Sequence, residues 1–353
     1  MHFAFTDQQL EFRDAVRQVL TKECTTDAVR AAYDAPDARS SRWTTLTDLG
    51  VTGLTVPEAQ GGFGLGLVDL VPLVEEAGRV ALPEPLGTTT GIAVPLLVDL
   101  DGEGTDGPVA AWLAAVASGG VAAAVADPAH PGAPVAGADG ADLVLLVVDG
   151  PDGRGLHGLD RSALDTGGGT VTPVSSLDPT RRLATVAWQP DAATPLLAGP
   201  GLDAVLVRTA DRAAVVTGAE LLGLAEAMIS RTADYARDRQ QFGRPIGSFQ
   251  AVKHLLAGAQ VLLEFARPVV YGAAWALDER SPVASRAASV AKAYAAEAAL
   301  EAARVSLQVH GAIGYTWECD LHLFLKRTWA LAEAWGSAGD HRARLLDLLL
   351  ADR

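Results

Sequence analysis

The segment 235–250 carries three arginines within eight residues and interrupts a long helical pattern. These arginines are Arg237, Arg239 and Arg244. A guanidinium group can hold a phosphate or carboxylate through two parallel hydrogen bonds, and Gln241 and Phe242 add an amide and a ring beside it. The segment therefore suits an anionic ligand. It equally suits a plain helix C-terminus, because basic side chains complement the helix dipole and Gly243 and Pro245 would end the helix. From these residues alone, both interpretations stay open.

Length and composition favour a multidomain, mainly helical protein. The 353 residues exceed the usual size of one hydrophobic core, which predicts two or three domains. Hydrophobic residues make up 49% and aromatic residues only 6%, and the abundant alanine suits closely packed helices. The formal charge of −15 argues against nucleic acid as a partner, because phosphate binding needs a basic surface. A negative net charge still allows a local basic cleft that binds a small anion.

Cysteine usage and the N-terminus favour a cytoplasmic protein. Cys24 and Cys319 lie far apart and form no redox motif, and no group of His, Cys and Asp has metal-ligand spacing, so we predict no metal site. Residues 1–12 lack the basic and apolar regions of a secretory signal. No unbroken apolar run reaches the ~18–20 residues of a membrane span.

Hydrophobic periodicity divides the chain into three predicted domains. Residues 1–118 are helical, and Thr6-Asp-Gln-Gln9 has the form of a capping box that begins the first helix. Residues 119–208 alternate short β-prone runs with Gly, Pro and Asp clusters, which predicts a small antiparallel β-domain. Segment 178–182 precedes one of these runs and suits a turn or a cap. The predicted strands are 120–125, 141–148, 170–174, 183–188 and 204–207.

Residues 209–353 are predicted to form a four-helix bundle, because long helical patterns alternate with short breaks. The helices cover roughly 211–240, 248–279, 283–310 and 318–351. The arginine segment 235–250 and a glycine-containing segment, 310–315, are two of the breaks. Both candidate ligand-binding segments therefore lie between bundle helices.

The order of these parts and several motifs resemble the acyl-CoA dehydrogenase family over nearly the whole chain. The N-terminal motifs are FTDQQLEFRDAVR, LGVTGLTVPEAQGGFGL and VEEAGRVALPEPLG, and the C-terminal motifs are YARDRQQFGRPIGSFQAVKH and QVHGAIGYTWECDLHLFLKR. The resemblance implies an α+β multidomain fold with an N-terminal helical domain, a middle β-domain and a C-terminal four-helix bundle. It also implies FAD as cofactor, acyl-CoA or another acyl thioester as substrate, and an assembly of two or four chains.

The resemblance assigns six residues to FAD binding. In the family, an R-x-x-F-G segment contacts FAD across a subunit interface, and a Q-x-x-G-G-x-G loop closes on the adenine and pyrophosphate end of a neighbour's FAD. The counterparts here are Arg239, Gln241 and Phe242 in the first segment and Gln308, Gly311 and Gly314 in the second. A guanidinium suits a pyrophosphate and an aromatic ring can pack on the cofactor. Ala312 replaces the second glycine of the loop, and its methyl group limits how closely the cofactor and the backbone can approach each other there.

Two departures from the family concern the flavin and the base. The family's T-E-P-x-x-G-S-D and W-I-T/S-N segments, which line the flavin ring, are not visible in this chain, where the stretch 121–148 is shortened. The base is a carboxylate that takes the α-proton of the thioester while the flavin accepts the β-hydride. In most members it is a Glu before Gly-Thr/Ser, and aligning Gly336-Ser337 places Trp335 there.

Three acids are candidates for the missing base. Glu333 lies two residues from the expected place, a turn of about 200° on a helix that would point it away. A minority of the family takes the base from the first bundle helix, where Asp211 and Glu220 are the acids. As alternatives, Asp211 suits an N-terminal helix cap and Glu333 a solvated surface position. Glu220 lies among apolar neighbours and would need a partner if buried.

Three functions are compatible with these features. The first is an FAD-dependent acyl-CoA dehydrogenase with an unusual base. The second is a non-catalytic subunit of a heterotetramer, which lends its arginine segment and glycine loop to the FAD of an unlike dehydrogenase chain. The third is a relative that binds an acyl thioester without redox chemistry.

Overall fold

The N-terminal part of the chain is helical. The structure, a computed structural model, describes residues 4–34, 40–101, 106–150 and 153–351. Its first helices are α1 (Asp7–Glu23), α2 (Thr26–Asp34), α3 (Ser41–Asp48), α4 (Leu67–Arg79), α5 (Val94–Asp101) and α6 (Pro108–Ala117). The predicted capping box at the start of α1 is confirmed, because Thr6 Oγ1 accepts from Gln9 N at 3.2 Å and Gln9 Oε1 accepts from Thr6 N at 2.8 Å.

The middle part holds two small sheets. Its elements are β1 (Ala123–Val125), β2 (Leu143–Gly150), β3 (Gly153–Asp160), α7 (Arg161–Asp165), β4 (Gly169–Pro173), β5 (Ala184–Trp188) and β6 (Thr194–Ala198). One sheet has the order β1-β2-β3-β6, and β4 and β5 form a separate hairpin. The prediction of a wholly antiparallel sheet was wrong, because β1 pairs with β2 in parallel. Strands β3 and β6 were not predicted, since their glycines and a proline obscure the alternating pattern.

Five helices form the C-terminal bundle. They are α8 (Leu202–Asp238), α9 (Gln250–Asp278), α10 (Ala284–His310), α11 (Leu321–Glu333) and α12 (Ala338–Ala351). The strand predicted at 204–207 was wrong, because these residues form part of α8, where Leu202, Val205 and Leu206 are buried at helical spacing. The single helix predicted over 318–351 is two helices. Ser337 and Asp340 exchange capping hydrogen bonds that begin α12 anew.

Helix α8 lies at the centre of the molecule and packs against α4, α9, α10 and α11. Its contact with α4 is close enough to require glycine, since a Cβ on Gly78 would lie 2.1 Å from the carbonyl oxygen of Glu220. By length and composition α8 is able to cross a membrane, yet 83% of its most apolar window is buried inside the folded chain. Such burial is typical of the core helix of a bundle.

One buried guanidinium joins the three parts of the chain. Arg327 on α11 donates to Leu82 O at 3.0 Å, to Glu220 Oε1 at 2.7 Å and to Thr180 Oγ1 at 2.5 Å, and it also pairs with Asp178. Burial opposes its charge, but the two carboxylates raise its pKa above the usual value. The N-terminal part, the β part and the bundle therefore share one set of hydrogen bonds.

Replacing Arg327 with Met should lower the free energy of unfolding by about 3–5 kcal/mol, because Asp178 would become a buried charge without its partner. Urea unfolding followed by circular dichroism measures this loss. The control Arg304→Met removes an arginine from the exposed face of α10 and should leave the midpoint unchanged. If Arg327→Met had the wild-type urea midpoint, Arg327 would not be holding the three parts of the chain together.

Candidate functional site

The arginine segment forms an exposed hairpin between α8 and α9. Strands β7 (Gln240–Gln241) and β8 (Arg244–Pro245) pair across a two-residue loop, Phe242-Gly243. Both loop residues have positive φ, 53° and 76°, as a type I′ turn requires. This conformation is strained for Phe242, whose side chain is nevertheless 91% exposed. The hairpin therefore projects a large aromatic ring into solvent.

Two of the three arginines are held by the chain itself. Arg237 pairs with Asp234 on the last turn of α8, and the Arg244 guanidinium lies 4.2 Å from the ring centroid of Phe249. Arg239 is the C-cap residue of α8, so the helix-terminus interpretation also holds. Across the described residues, the exposed Arg239 guanidinium has no hydrogen-bond or ion-pair partner. Arg239, Gln241 and Phe242 are thus all open to a second molecule.

The glycine loop lies at the same end of the bundle. The Tyr235 ring near the end of α8 stacks on His310, the last residue of α10, with centroids 4.3 Å apart. Gln308 is exposed, and Gly311 has a φ of 64° that favours glycine. Gly314 is buried, and a Cβ there would come within 3.1 Å of its own chain. The missing side chain of Gly314 therefore serves internal packing, whereas Gly311 leaves its surroundings open.

A cavity of about 100 Å³, with both apolar and charged residues in its lining, lies where the three parts of the chain meet. Glu220 and Trp335 border it from the bundle, and Glu84 borders it from the N-terminal part. Glu220 meets the expectation of a partner, because it accepts from Arg327. The cavity also has a concentration of arginines that the sequence patterns did not indicate. These are Arg181, Arg182 and Arg327.

The other two acids lie away from this cavity. The cap interpretation of Asp211 was wrong, because α8 begins nine residues earlier, at Leu202. Asp211 is buried inside the helix and accepts from Ser285 Oγ and Arg344 Nη1, each at 2.6 Å. Glu333 is exposed at the end of α11, as expected from its position on the helix. The three acids do not share one site.

The turn between α11 and α12 holds Trp335 against the cavity. Lys292 on α10 is fully buried, and its Nζ donates to Ala332 O and Gly336 O, both at 2.8 Å. His341 Nε2 lies 2.9 Å from Trp335 O, and Trp335 has a φ of 58°. The only sequence signal for Lys292 is that it is the one basic residue, with Glu297 as the one acid, inside the alanine-rich stretch 287–299. This buried lysine fixes the turn at the position where the family resemblance expected a base.

The cavity does not fit a flavin. Pockets for small ligands typically measure about 300–1,000 Å³, several times the volume found here. Trp335 and the Arg327–Glu220 ion pair border it. The exposed hairpin and glycine loop, in contrast, need no rearrangement to meet a cofactor held by another chain.

Comparison with known proteins gives matches over most of the chain. The model of the acyl-CoA dehydrogenase N-terminal domain matches residues 6–120, and that of the C-terminal domain matches residues 199–347. The chain is 35% identical to the acyl-CoA dehydrogenase IpdE2 of Mycobacterium tuberculosis over 330 residues, which cover 93% of this chain and 92% of the relative.

Two solved structures are similar along their full length. A variant of the Tcur3481-Tcur3483 steroid ACAD has a TM-score of 0.85 at 29% identity, with 98% of each chain covered. The ChsE4-ChsE5 complex from Mycobacterium tuberculosis has a TM-score of 0.84 at 22% identity, with 99% of each chain covered, and this second likeness speaks for the fold alone. The α+β architecture expected from the sequence is confirmed.

Stability should depend on pH through Lys292. Burial lowers its pKa from 10.5 to about 8, against the opposing charges of Glu333 and Asp340. Between these two values the unfolded chain holds the proton more tightly, so stability should rise with pH, by up to roughly 2–3 kcal/mol. Urea unfolding at pH 7 to 10 measures this slope. Lys292→Met should flatten it.

The rise is opposed above about pH 9 by Cys24, whose pKa burial raises from 9.0 to about 12, and above about pH 10 by Tyr33 and Tyr271, whose pKa values burial also raises. These groups stay protonated in the folded chain, so the free energy of unfolding falls above the pH at which they ionise in the unfolded chain. They are present in wild type and in Lys292→Met alike, so their effect cancels when the two slopes are compared. Lys22→Met, on the exposed end of α1, is the control and should keep the wild-type slope. Parallel curves for Lys292→Met and wild type would contradict the assignment.

Proposed function

The chain belongs to the acyl-CoA dehydrogenase family, and we propose that within it the chain is the non-catalytic subunit of a heteromeric enzyme. It completes the FAD site of an unlike dehydrogenase chain, which supplies the base and most of the flavin pocket. One contrast carries this proposal. The FAD-contact residues of the hairpin are exposed, while the chain's own cavity is small and is bordered by Glu220 and Arg327, which pair with each other.

The hairpin has the chemistry needed to meet a neighbour's FAD. The Arg239 guanidinium can bind a pyrophosphate through two hydrogen bonds, and Gln241 adds an amide beside it. The Phe242 ring can pack on an aromatic part of the cofactor. A strained, exposed Phe242 gains nothing from the chain's own core, so its place at the tip favours contact with a second chain.

The chain's own cavity lacks a free proton acceptor at the family position. Trp335 stands where most members have Glu, and an indole has no basic atom. Glu220 borders the cavity but accepts from Arg327, which also holds Asp178. Withdrawing Glu220 for proton transfer would break a buried ion pair. These contacts favour a structural role for this cleft.

An apolar stripe on α9 offers a surface for the unlike subunit. Its large side chains are exposed, namely Val261 (51%), Leu262 (43%), Phe265 (65%) and Trp275 (41%). Gly258 and Gly272 on the same helix have open space around them, which permits a neighbouring helix to approach. A contiguous exposed apolar face on a folded helix is typical of a protein–protein interface. The similar Tcur3481-Tcur3483 structure is named for two chains.

A homomeric FAD enzyme with Glu220 as base is the second candidate. It is favoured by one observation, that Glu220 is the only predicted base that borders the cavity. It would require the flavin to displace Arg327 contacts on entry. Absorbance of the lone protein distinguishes the two candidates.

Expressed alone, the protein should be colourless and should not retain added FAD. Co-expressed with an acyl-CoA dehydrogenase chain from a neighbouring gene, it should form a yellow complex with acyl-CoA dehydrogenase activity. In that complex Arg239→Ala should lower FAD affinity by about tenfold or more, because a charge-assisted contact to phosphate is lost. FAD content by absorbance and titration with FAD measure both effects.

Arg237→Ala is the matched control for this experiment, because Arg237 lies two residues away and pairs with Asp234 within its own chain. It should keep the wild-type FAD affinity. Stoichiometric FAD in the lone protein, bleached by an acyl-CoA, would sink the subunit proposal and favour the homomeric enzyme.

Phe265→Glu should weaken the heteromeric complex by at least about 2 kcal/mol, because a charge would replace a large apolar anchor in the interface. Size-exclusion chromatography with light scattering over a dilution series measures the dissociation. Val174→Glu places the same charge on an exposed apolar site of the β part and should leave the complex intact. If Phe265→Glu and Val174→Glu weakened the complex equally, the partner would not bind at the apolar stripe of α9.

A further inference from the structure

Arg182 borders the central cavity with donors that its own chain does not satisfy. Its Nε and Nη1 atoms are buried and have no hydrogen-bond partner. Its Nη2 lies 3.7 Å from Asp139 Oδ2, which is a loose ion pair. Unsatisfied buried donors destabilise a folded chain by about 1–3 kcal/mol each. A ligand that accepts from them would remove this penalty.

Arg181 borders the same cavity and is also poorly matched. Its Nη1 donates to Ala330 O at a long 3.4 Å, and none of the described residues forms an ion pair with it. Burial and the neighbouring charge of Arg327 lower the pKa of Arg181. An anion beside Arg181 would offset both effects.

The acids around the cavity are already engaged. Glu84 Oε1 accepts from Arg42 at 2.7 Å and from Ser40, while Arg327 pairs with both Glu220 and Asp178. Around the cavity, the charges of Arg42, Arg181, Arg182 and Arg327 are balanced by those of Glu84, Asp139, Asp178 and Glu220. A ligand would therefore be recognised by the unmatched N–H donors and not by excess positive charge.

The segment that carries the two arginines is fixed in place. Asp178 Oδ1 accepts from Thr180 N at 3.1 Å, and Gly137 N donates to Arg181 O at 2.8 Å. The Arg182 guanidinium packs against Gly140, where a Cβ would come within 2.5 Å of Nη2. A site whose side chains are already ordered requires little further ordering on binding.

We propose that this cavity binds a small oxyanion, a carboxylate or phosphate group, through Arg181 and Arg182. Its volume of about 100 Å³ suits one such group and lies below the range of pockets that hold larger ligands. Guanidinium groups bind both kinds of oxyanion with planar, paired hydrogen bonds. The site lies within this chain and is independent of the FAD contacts of the exposed hairpin.

The test uses the full-length chain alone, with potassium acetate and potassium phosphate as probes and potassium chloride holding the ionic strength constant. Isothermal titration calorimetry should show saturable binding to one site, and the thermal midpoint should rise with probe concentration. Arg182→Lys keeps the charge but removes the unmatched Nε and Nη1 donors, so affinity should fall by about tenfold or more. Arg304→Lys makes the same change on the exposed face of α10 and should bind as wild type.

The two probes distinguish the sources of the group. Binding of acetate alone would identify a carboxylate, such as that of an acidic acyl chain, and binding of phosphate alone would identify a phosphate ester. Absence of saturable binding by both probes, or wild-type affinity in Arg182→Lys, would overturn the proposal. If Arg182→Lys fails to fold, Arg181→Gln serves in its place with the same expectations. No FAD or partner is present, so failure here leaves the subunit proposal untouched.

Discussion

The buried guanidinium of Arg327 constrains how the rest of the chain is arranged. A charge removed from water is stable only when carboxylates and carbonyls surround it, and here they come from three separate stretches. Asp178 and Glu220 are thereby committed to Arg327, and the β part and the bundle are held at one separation. The cavity between them is what this arrangement leaves, a small space with a mixed apolar and charged lining.

The surface, in contrast to the Arg327 cluster, carries groups that the chain's own core does not use. The hairpin places Phe242 in a strained conformation with its ring in solvent, and the Arg239 guanidinium beside it has no partner in the described chain. The glycine loop lies at the same end of the bundle through the stacking of Tyr235 on His310. Groups that the folded chain does not use internally are thus exposed at one end, while the carboxylates of Asp178 and Glu220 inside are paired with Arg327. A division of this kind suits a chain that contributes to a site in another subunit.

Much of the fold was predictable because its signals are local. The capping box at Thr6, the bundle helices and the α+β order follow from periodicity and short motifs. The errors have local causes too: the Val205 run has β-branched residues but continues the buried face of α8, and the capping signature of Ser337 was hidden inside a long helical pattern. The site itself was not predictable in this way. Arg327 meets Asp178 across 149 residues and Lys292 meets Gly336 across 44, and no spacing rule links such positions.

The relative energies of the two routes favour a flavin outside this chain's own cleft. A flavin that entered the central cavity at the expense of the Arg327 pairing would give up about 3–5 kcal/mol, or two to four powers of ten in affinity. Trp335 also lines the cavity, and Lys292 holds its turn through two carbonyl hydrogen bonds. The exposed hairpin requires neither change, since the Arg239 guanidinium has no partner in the described chain and Phe242 meets only the edge of the Phe249 ring. In the proposed subunit role, this chain therefore contributes to flavin chemistry at its surface, in the site of a neighbour.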